Sequence, residues 1–206
     1  MATEPVTATA VDPGWEALSR VAAGDAEAFA ALVDSHQERL LRLCESLLGE
    51  PEEARDAAQE VFLKAYGKAA EVRPQGQVYT WLYRIAVNHC LNKLRRRKLV
   101  RFLRLENPGE REVPAFDPPD PAADPAAALE ARRRWRATRL AIERLPENQR
   151  TVLVLVRFEG LSHKQTAAVL GITEGAVESR LVRAMRRLEA AQESGNPGVS
   201  PEERTR

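Results

Sequence analysis

Four arginines, Arg180, Arg183, Arg186 and Arg187, stand within eight residues of one another near the end of a 206-residue chain. A guanidinium presents planar donors that fit phosphate oxygens and the edge of guanine. Such groups bind nucleic acid only if a rigid element holds them at a fixed spacing. The surrounding stretch, LSHKQTAAVLGITEGAVESRLVRAMRRL from Leu161 to Leu188, reads as two short helices joined by a tight turn. Ser162 with Gln165 three residues on forms a capping box that starts the first helix. Gly171 follows Val169 and Leu170 where a left-handed cap is needed, and Thr173 can cap the second helix through its hydroxyl. Val177, Leu181, Ala184 and Leu188 recur at helical spacing and should pack on Ala167, Val169 and Leu170. A pair of this kind holds a helix in the DNA major groove with its first residues at base edges. The plainer alternative is a helical hairpin in a core with solvated arginines outside, but turn, caps, small residues and basic face agree on the first reading.

A second set lies upstream. At 100° per residue, Leu82, Tyr83, Ala86, Val87, Cys90 and Leu94 fill one arc of a helix predicted over residues 79–97. Thr80, Arg84, Asn88, Asn92 and Arg95 fill the opposite arc, with Trp81 among them. Amides between arginines, with an aromatic at hand, suit phosphates and unpaired or edge-exposed bases; a solvated surface is the alternative, and Trp81 fits a core equally well. On a helix opened by Pro51, Asp56, Gln59 and Glu60 fall within one turn opposite Ala54, Ala58, Val61, Phe62 and Ala65. They form either a solvated face or a contact for a basic partner. Phe29, Val33, His36, Leu40, Leu43 and Leu47 mark one side of the preceding long helix, which Gly49 ends. The two cysteines, Cys44 and Cys90, and the three histidines, His36, His89 and His163, have neither disulfide-scaffold nor zinc-ligand spacing. No catalytic residue, metal site or cofactor is expected.

The net charge of +1 hides a strong asymmetry. Met1 to Glu60 holds thirteen acidic and four basic residues; Arg84 to Leu105 holds eight basic residues and no acidic one. Such segregation suggests one surface for a polyanion and another for a basic partner. Between residues 106 and 130 lie six of the thirteen prolines and seven acidic residues against one arginine. That composition cannot bury enough apolar surface to order itself, so a flexible linker is expected over 105–130. An all-α protein of two small helical domains follows, 22–104 and 131–191, with loose ends over 1–21 and 192–206. No apolar run reaches the length of a membrane span and no basic-then-apolar leader is visible, so a cytoplasmic protein without membrane insertion is expected.

Taken together, the segments GDAEAFAALVDSHQERLLRLCESLLGEPEEARDAAQEVFLKAY, YTWLYRIAVNHCLNKLRRR and LPENQRTVLVLVRFEGLSHKQTAAVLGITEGAVESRLVRAMRRL resemble, in order and spacing, the sigma-70 family, specifically its two-domain extracytoplasmic-function group. The resemblance implies a transcription initiation factor whose partners are core RNA polymerase, through its beta and beta-prime subunits, promoter DNA and an anti-sigma factor. It implies that the first domain binds the polymerase clamp through Asp56, Gln59 and Glu60 and opens the minus-ten element. There the loop Val72–Val78, with Arg73 and Gln75, would capture a flipped base. Trp81, Arg84, Asn88, Asn92 and Arg95 would contact the opened DNA, Asn88 matching the family's promoter-contacting position. The second domain would bind the minus-thirty-five element through Glu174, Ala176, Glu178, Ser179, Arg180, Arg183 and Arg187, and the flap of the beta subunit. Two departures stand out. Glu178 occupies a position where relatives often carry lysine or arginine; a carboxylate accepts from cytosine N4 but does not bind phosphate. The loop Val72–Val78 departs from the usual Phe-Arg-Gly pattern. A free-standing helix-turn-helix regulator would account for the second domain but give no role to Asp56, Gln59, Glu60 or the Thr80–Arg95 stripe. A phosphorelay or hydrolase domain lacks a nucleophile, acid pair or phosphate loop beside its histidines.

Overall fold

In the computed structural model, which describes residues 12–73, 76–104, 137–138 and 140–195 (side chains at 101–104 and 192–195 excepted), all regular structure is helical. The chain divides into two compact units, Met1–Leu105 and Glu106–Arg206. The linker expected over 105–130 and residues 196–206 of the expected tail lie outside the described residues.

The first unit contains α1 (Gly14–Ala22), α2 (Ala26–Leu48), α3 (Pro51–Lys68) and α4 (Val78–Arg104). α1 corrects the expectation of a loose segment over 1–21. Trp15, Leu18 and Val21 recur every three residues, lie on one side of the helix and are buried. So short a helix is held by packing rather than by propensity, and α1 packs on α2. α2 starts at Asp25, whose carboxylate accepts the Ala28 N–H at 3.0 Å. That bond, with the neighbouring Arg20, holds the Asp25 carboxyl below its ordinary range. Gly49, at φ +78°, ends α2, and Pro51 opens α3 at a position whose N–H has no intrahelical partner.

α3 turns Ala54, Ala57, Ala58, Val61, Phe62 and Ala65 inward, and four alanines on one face let α2 and α4 approach closely. Leu40, Leu43, Cys44, Leu47 and Leu48 of α2 meet Leu82, Tyr83, Ala86, Val87, Cys90 and Leu94 of α4, all buried. Both cysteines are free; contact with Cys90 and burial push the Cys44 thiol up. α4 runs seven residues beyond the expected Arg97 because nothing between Arg97 and Leu105 breaks a helix: neither glycine nor proline occurs there.

In the second unit, residues 140–143 are helical, then α5 (Glu147–Leu153) runs into a π-turn (Val154–Phe158), followed by α6 (His163–Leu170) and α7 (Glu174–Gly195). Thr151 to Leu155 are all buried. Five consecutive buried residues exceed one helical face, so this segment is enclosed on all sides by its own unit. α6 carries the complete capping box: Ser162 Oγ accepts the Gln165 N–H at 3.1 Å and Gln165 Oε1 accepts the Ser162 N–H at 2.8 Å. Gly171, at φ +66°, ends it. Leu145, Val152, Leu153, Ala167, Val177, Leu181, Ala184 and Leu188 form one core, with Leu170 and Ile172 packed at its edge. α7 continues to Gly195, into the stretch expected to be tail, since helix formers persist until the Gly195-Asn196-Pro197 sequence.

Candidate nucleic-acid and partner interfaces

Three outward faces carry the residues that the sequence singles out. The first is on α3, where Asp56, Gln59 and Glu60 are exposed on the side opposite the alanines. Leu63, one turn beyond Gln59 and Glu60, is 68% exposed on the same face, and Tyr66 is 49% exposed at its edge. The sequence reading missed Leu63. Its signal was present, however: a large apolar residue seven positions after Asp56 falls on the polar stripe, where solvation alone gives it no role. Tyr66 packs edge-on against Phe29 of α2 with centroids 5.1 Å apart.

The second face is on α4. Arg84, Asn88, Asn92 and Arg95 are exposed along one side, the arrangement expected from helical periodicity. Arg95 Nη1 donates to Asn92 Oδ1 at 3.4 Å, a long bond that still links stripe neighbours. Trp81 is half-buried, and its ring lies 6.3 Å from that of Trp15 at an interplanar angle of 49°. It is therefore neither core nor bare surface: one side is backed by α1. Exposed Leu99 continues the stripe. Arg73 and Gln77 of the preceding loop are exposed, Val72 half-buried and Val78 buried, whereas Gln75 lies outside the described residues.

His89 joins these two faces. Lys64 of α3 donates to His89 Nδ1, and Glu60 lies 3.6 Å from both Lys64 Nζ and His89 Nε2. An ammonium has only donors, so the bonded imidazole is neutral and carries its proton on Nε2. Burial and the Lys64 charge push the His89 pKa below its ordinary value. Nearby, Arg97 of α4 pairs with Glu53 of α3.

The third face is on α7. Thr173 Oγ1 accepts the Ala176 N–H at 3.2 Å and fixes the start of the helix. Glu174, Glu178, Arg183 and Arg187 are exposed; Ala176, Ser179 and Arg180 are half-buried. At 100° per residue, Glu178 and Arg180 lie roughly 160° apart, so the expected residues occupy two borders of one outward face. Ala176, Arg180, Arg183 and Arg187 line one border, Glu174 and Glu178 the other. Small Gly175 and Ser179 lie between them. Among the described residues no group of three His, Cys, Asp or Glu side chains could hold a metal ion, and no helix is long and apolar enough to cross a membrane.

Comparison with known proteins agrees with both units. Residues 32–100 match the family model described as Sigma-70 region 2, and residues 135–188 the one described as Sigma-70, region 4. RNA polymerase sigma-H factor of Pseudomonas aeruginosa is 35% identical over 182 residues, spanning 84% of this chain and 91% of that protein. The extracytoplasmic-function sigma factor SigM of Mycobacterium tuberculosis is 37% identical over 185 residues, spanning 90% of this chain and 87% of that protein. Among solved structures, CnrH in complex with the cytosolic domain of CnrY superposes with a TM-score of 0.64 at 27% identity, covering 90% of this chain and all of that one. The sigma factor RpoE of Bartonella quintana, solved with the anti-sigma factor NepR, shares the fold at a TM-score of 0.63 and 22% identity. The chain belongs to the sigma-70 family, in its extracytoplasmic-function group. Membership makes it a factor of transcription initiation and accounts for both units at once, which a free-standing regulator does not.

Proposed function

We propose that this chain carries core RNA polymerase to promoters by dividing the work among its three outward faces. Asp56, Gln59 and Glu60, with Leu63, dock on the basic clamp of the beta-prime subunit. The α4 stripe of Trp81, Arg84, Asn88, Asn92 and Arg95, with Arg73 and Gln75 of the loop, engages the minus-ten element as it opens. Extruding a base costs a few kcal/mol, which contacts from this stripe and the loop offset. α7 enters the minus-thirty-five major groove. Arg180, Arg183 and Arg187, with Ala176 among them, lie toward one phosphate wall, Ser179 near the floor, and Glu174 and Glu178 accept from cytosine amines or reject other bases. The second unit also meets the beta-subunit flap. Residues 105–130 connect the units and raise the effective concentration of the second DNA contact once the first is made. An anti-sigma factor covers the polymerase-binding faces when the protein is held inactive; the related CnrH was solved in complex with the cytosolic domain of CnrY.

The observation that carries the reading is the opposition of charge within the first unit. An acidic-amide face on α3 and a basic-amide face on α4 project from the same four-helix body. A protein selected for solubility alone would mix the signs. The combined variant Asp56→Lys, Glu60→Lys should lose co-elution with core polymerase by at least tenfold in apparent affinity, a loss of the size expected for reversing two interface charges. Its helical circular dichroism should match that of the unaltered chain. Full co-elution of the variant would overturn the clamp assignment.

A further inference from the structure

We infer that Asp12, Gly14 and Trp15, residues ahead of and within α1, are positioning residues for minus-ten opening. They latch the start of α4 and set Trp81 on the DNA-facing stripe. The inference rests on the reading of α4 as the minus-ten face.

The geometry is specific. Asp12 uses both carboxylate oxygens: Oδ1 accepts the Gly14 N–H at 2.9 Å, and Oδ2 accepts the Val78 N–H at 2.8 Å. Val78 is the first residue of α4, so its N–H has no partner within the helix. Asp12, 66 residues away in sequence, therefore caps α4 from outside, and its charge favours the positive end of the helix dipole. Trp15 adds a second tie. Its indole N–H donates to the Gly76 carbonyl at 2.8 Å, and its ring backs Trp81. Gly76 holds φ +69°, a conformation glycine adopts without strain, so the tie fixes a defined backbone turn. Gly14 makes the approach possible: a Cβ there would lie 2.9 Å from Val78 Cγ2 and 3.2 Å from Asp12 Oδ1. Three residues of one short segment thus converge on Gly76, Val78 and Trp81.

A helix that merely filled the core would need only Trp15, Leu18 and Val21 as apolar bulk. The two carboxylate bonds and the indole N–H are directional, and both Gly76 and Val78 precede the first DNA-facing residues of the stripe. Their effect is to fix the entry angle of α4 and the rotamer of Trp81 before DNA arrives. Opening then does not have to order them.

The test uses the full chain, alone and with core polymerase, carrying Asp12→Ala or Trp15→Phe; the second keeps an aromatic ring but removes the indole donor together with part of the ring's bulk. In the free protein, Asp12→Ala should speed amide exchange at Val78 roughly tenfold, the factor expected for one lost hydrogen bond. Exchange in α2 and α3 should be unchanged. With polymerase, permanganate reactivity of minus-ten thymines should fall about three- to tenfold for either variant at equal promoter occupancy. Unchanged exchange at Val78, or acceleration spread evenly through the first unit, would reduce the segment to ordinary packing and overturn the inference. Local acceleration with undiminished opening would overturn it as well. If even the unaltered chain opened no promoter, the α4 assignment would fail instead, and the exchange result would stand separately.

Discussion

His89 shows how one side chain can serve two faces. Its side chain is 9% exposed, bonded to Lys64 and 3.6 Å from Glu60, while its α4 neighbours Asn88 and Asn92 lie on the exposed stripe. Burial and Lys64 depress its pKa, and burial depresses that of His36, so both are neutral in the folded chain near pH 7. The unfolded chain binds these protons first as pH falls, from about 6.5 downward. Stability is therefore complete above that value and declines as pH drops toward the folded-state pKa values. Melting followed by circular dichroism should give a lower Tm at pH 5.5 than at pH 7.5. His89→Gln should shrink the difference, and an equal difference in the variant would contradict the assignment. Arg183 makes a separate residue-scale case. Exposed on the arginine border of α7, it should act as a phosphate contact, so Arg183→Ala should reduce the slope of log affinity against log salt by about one. An unaltered slope would remove it from the phosphate contacts.

At the scale of elements, what was legible in the sequence is what local chemistry decides. The Ser162–Gln165 box, the glycine stops at Gly49 and Gly171 and the proline start at Pro51 each depend on neighbours within four residues. Ser162→Ala should accordingly destabilise the second unit by about 1 kcal/mol in urea titration; no loss would mean that packing alone sets the start of α6. The inward arcs of α3 and α4 were legible for the same reason, since periodicity alone sorts their faces. α1 was not. The stretch over 1–21 reads as loose, and α1 is held there by the burial of Trp15, Leu18 and Val21, with Trp15 tied to Gly76 and Trp81 more than sixty residues away. The π-turn at Val154–Phe158 has no sequence signal that we can identify. Leu63 stands in the sequence as an apolar residue on a polar stripe, but its place on the α3 face follows from its exposure, which depends on how α3 packs.

For the whole molecule, the segregation of charge found in the sequence becomes spatial. Acidic residues dominate the chain up to Glu60, basic ones the second half of α4, and within the first unit the two meet where Glu53 pairs with Arg97. The division into two helical units was legible because the proline-rich, acidic stretch between them differs so sharply in composition from either. The contacts proposed to polymerase and promoter rest on family resemblance, because they involve surfaces whose partners are other molecules. The two units together should give core polymerase a promoter preference. Its most direct measurement is transcription of genomic DNA by purified core polymerase with and without this chain, mapping the 5′ ends. New, discrete starts should appear that share a pair of upstream elements at fixed spacing and vanish with the Asp56→Lys, Glu60→Lys variant. A pattern of starts identical to that of core polymerase alone would contradict it.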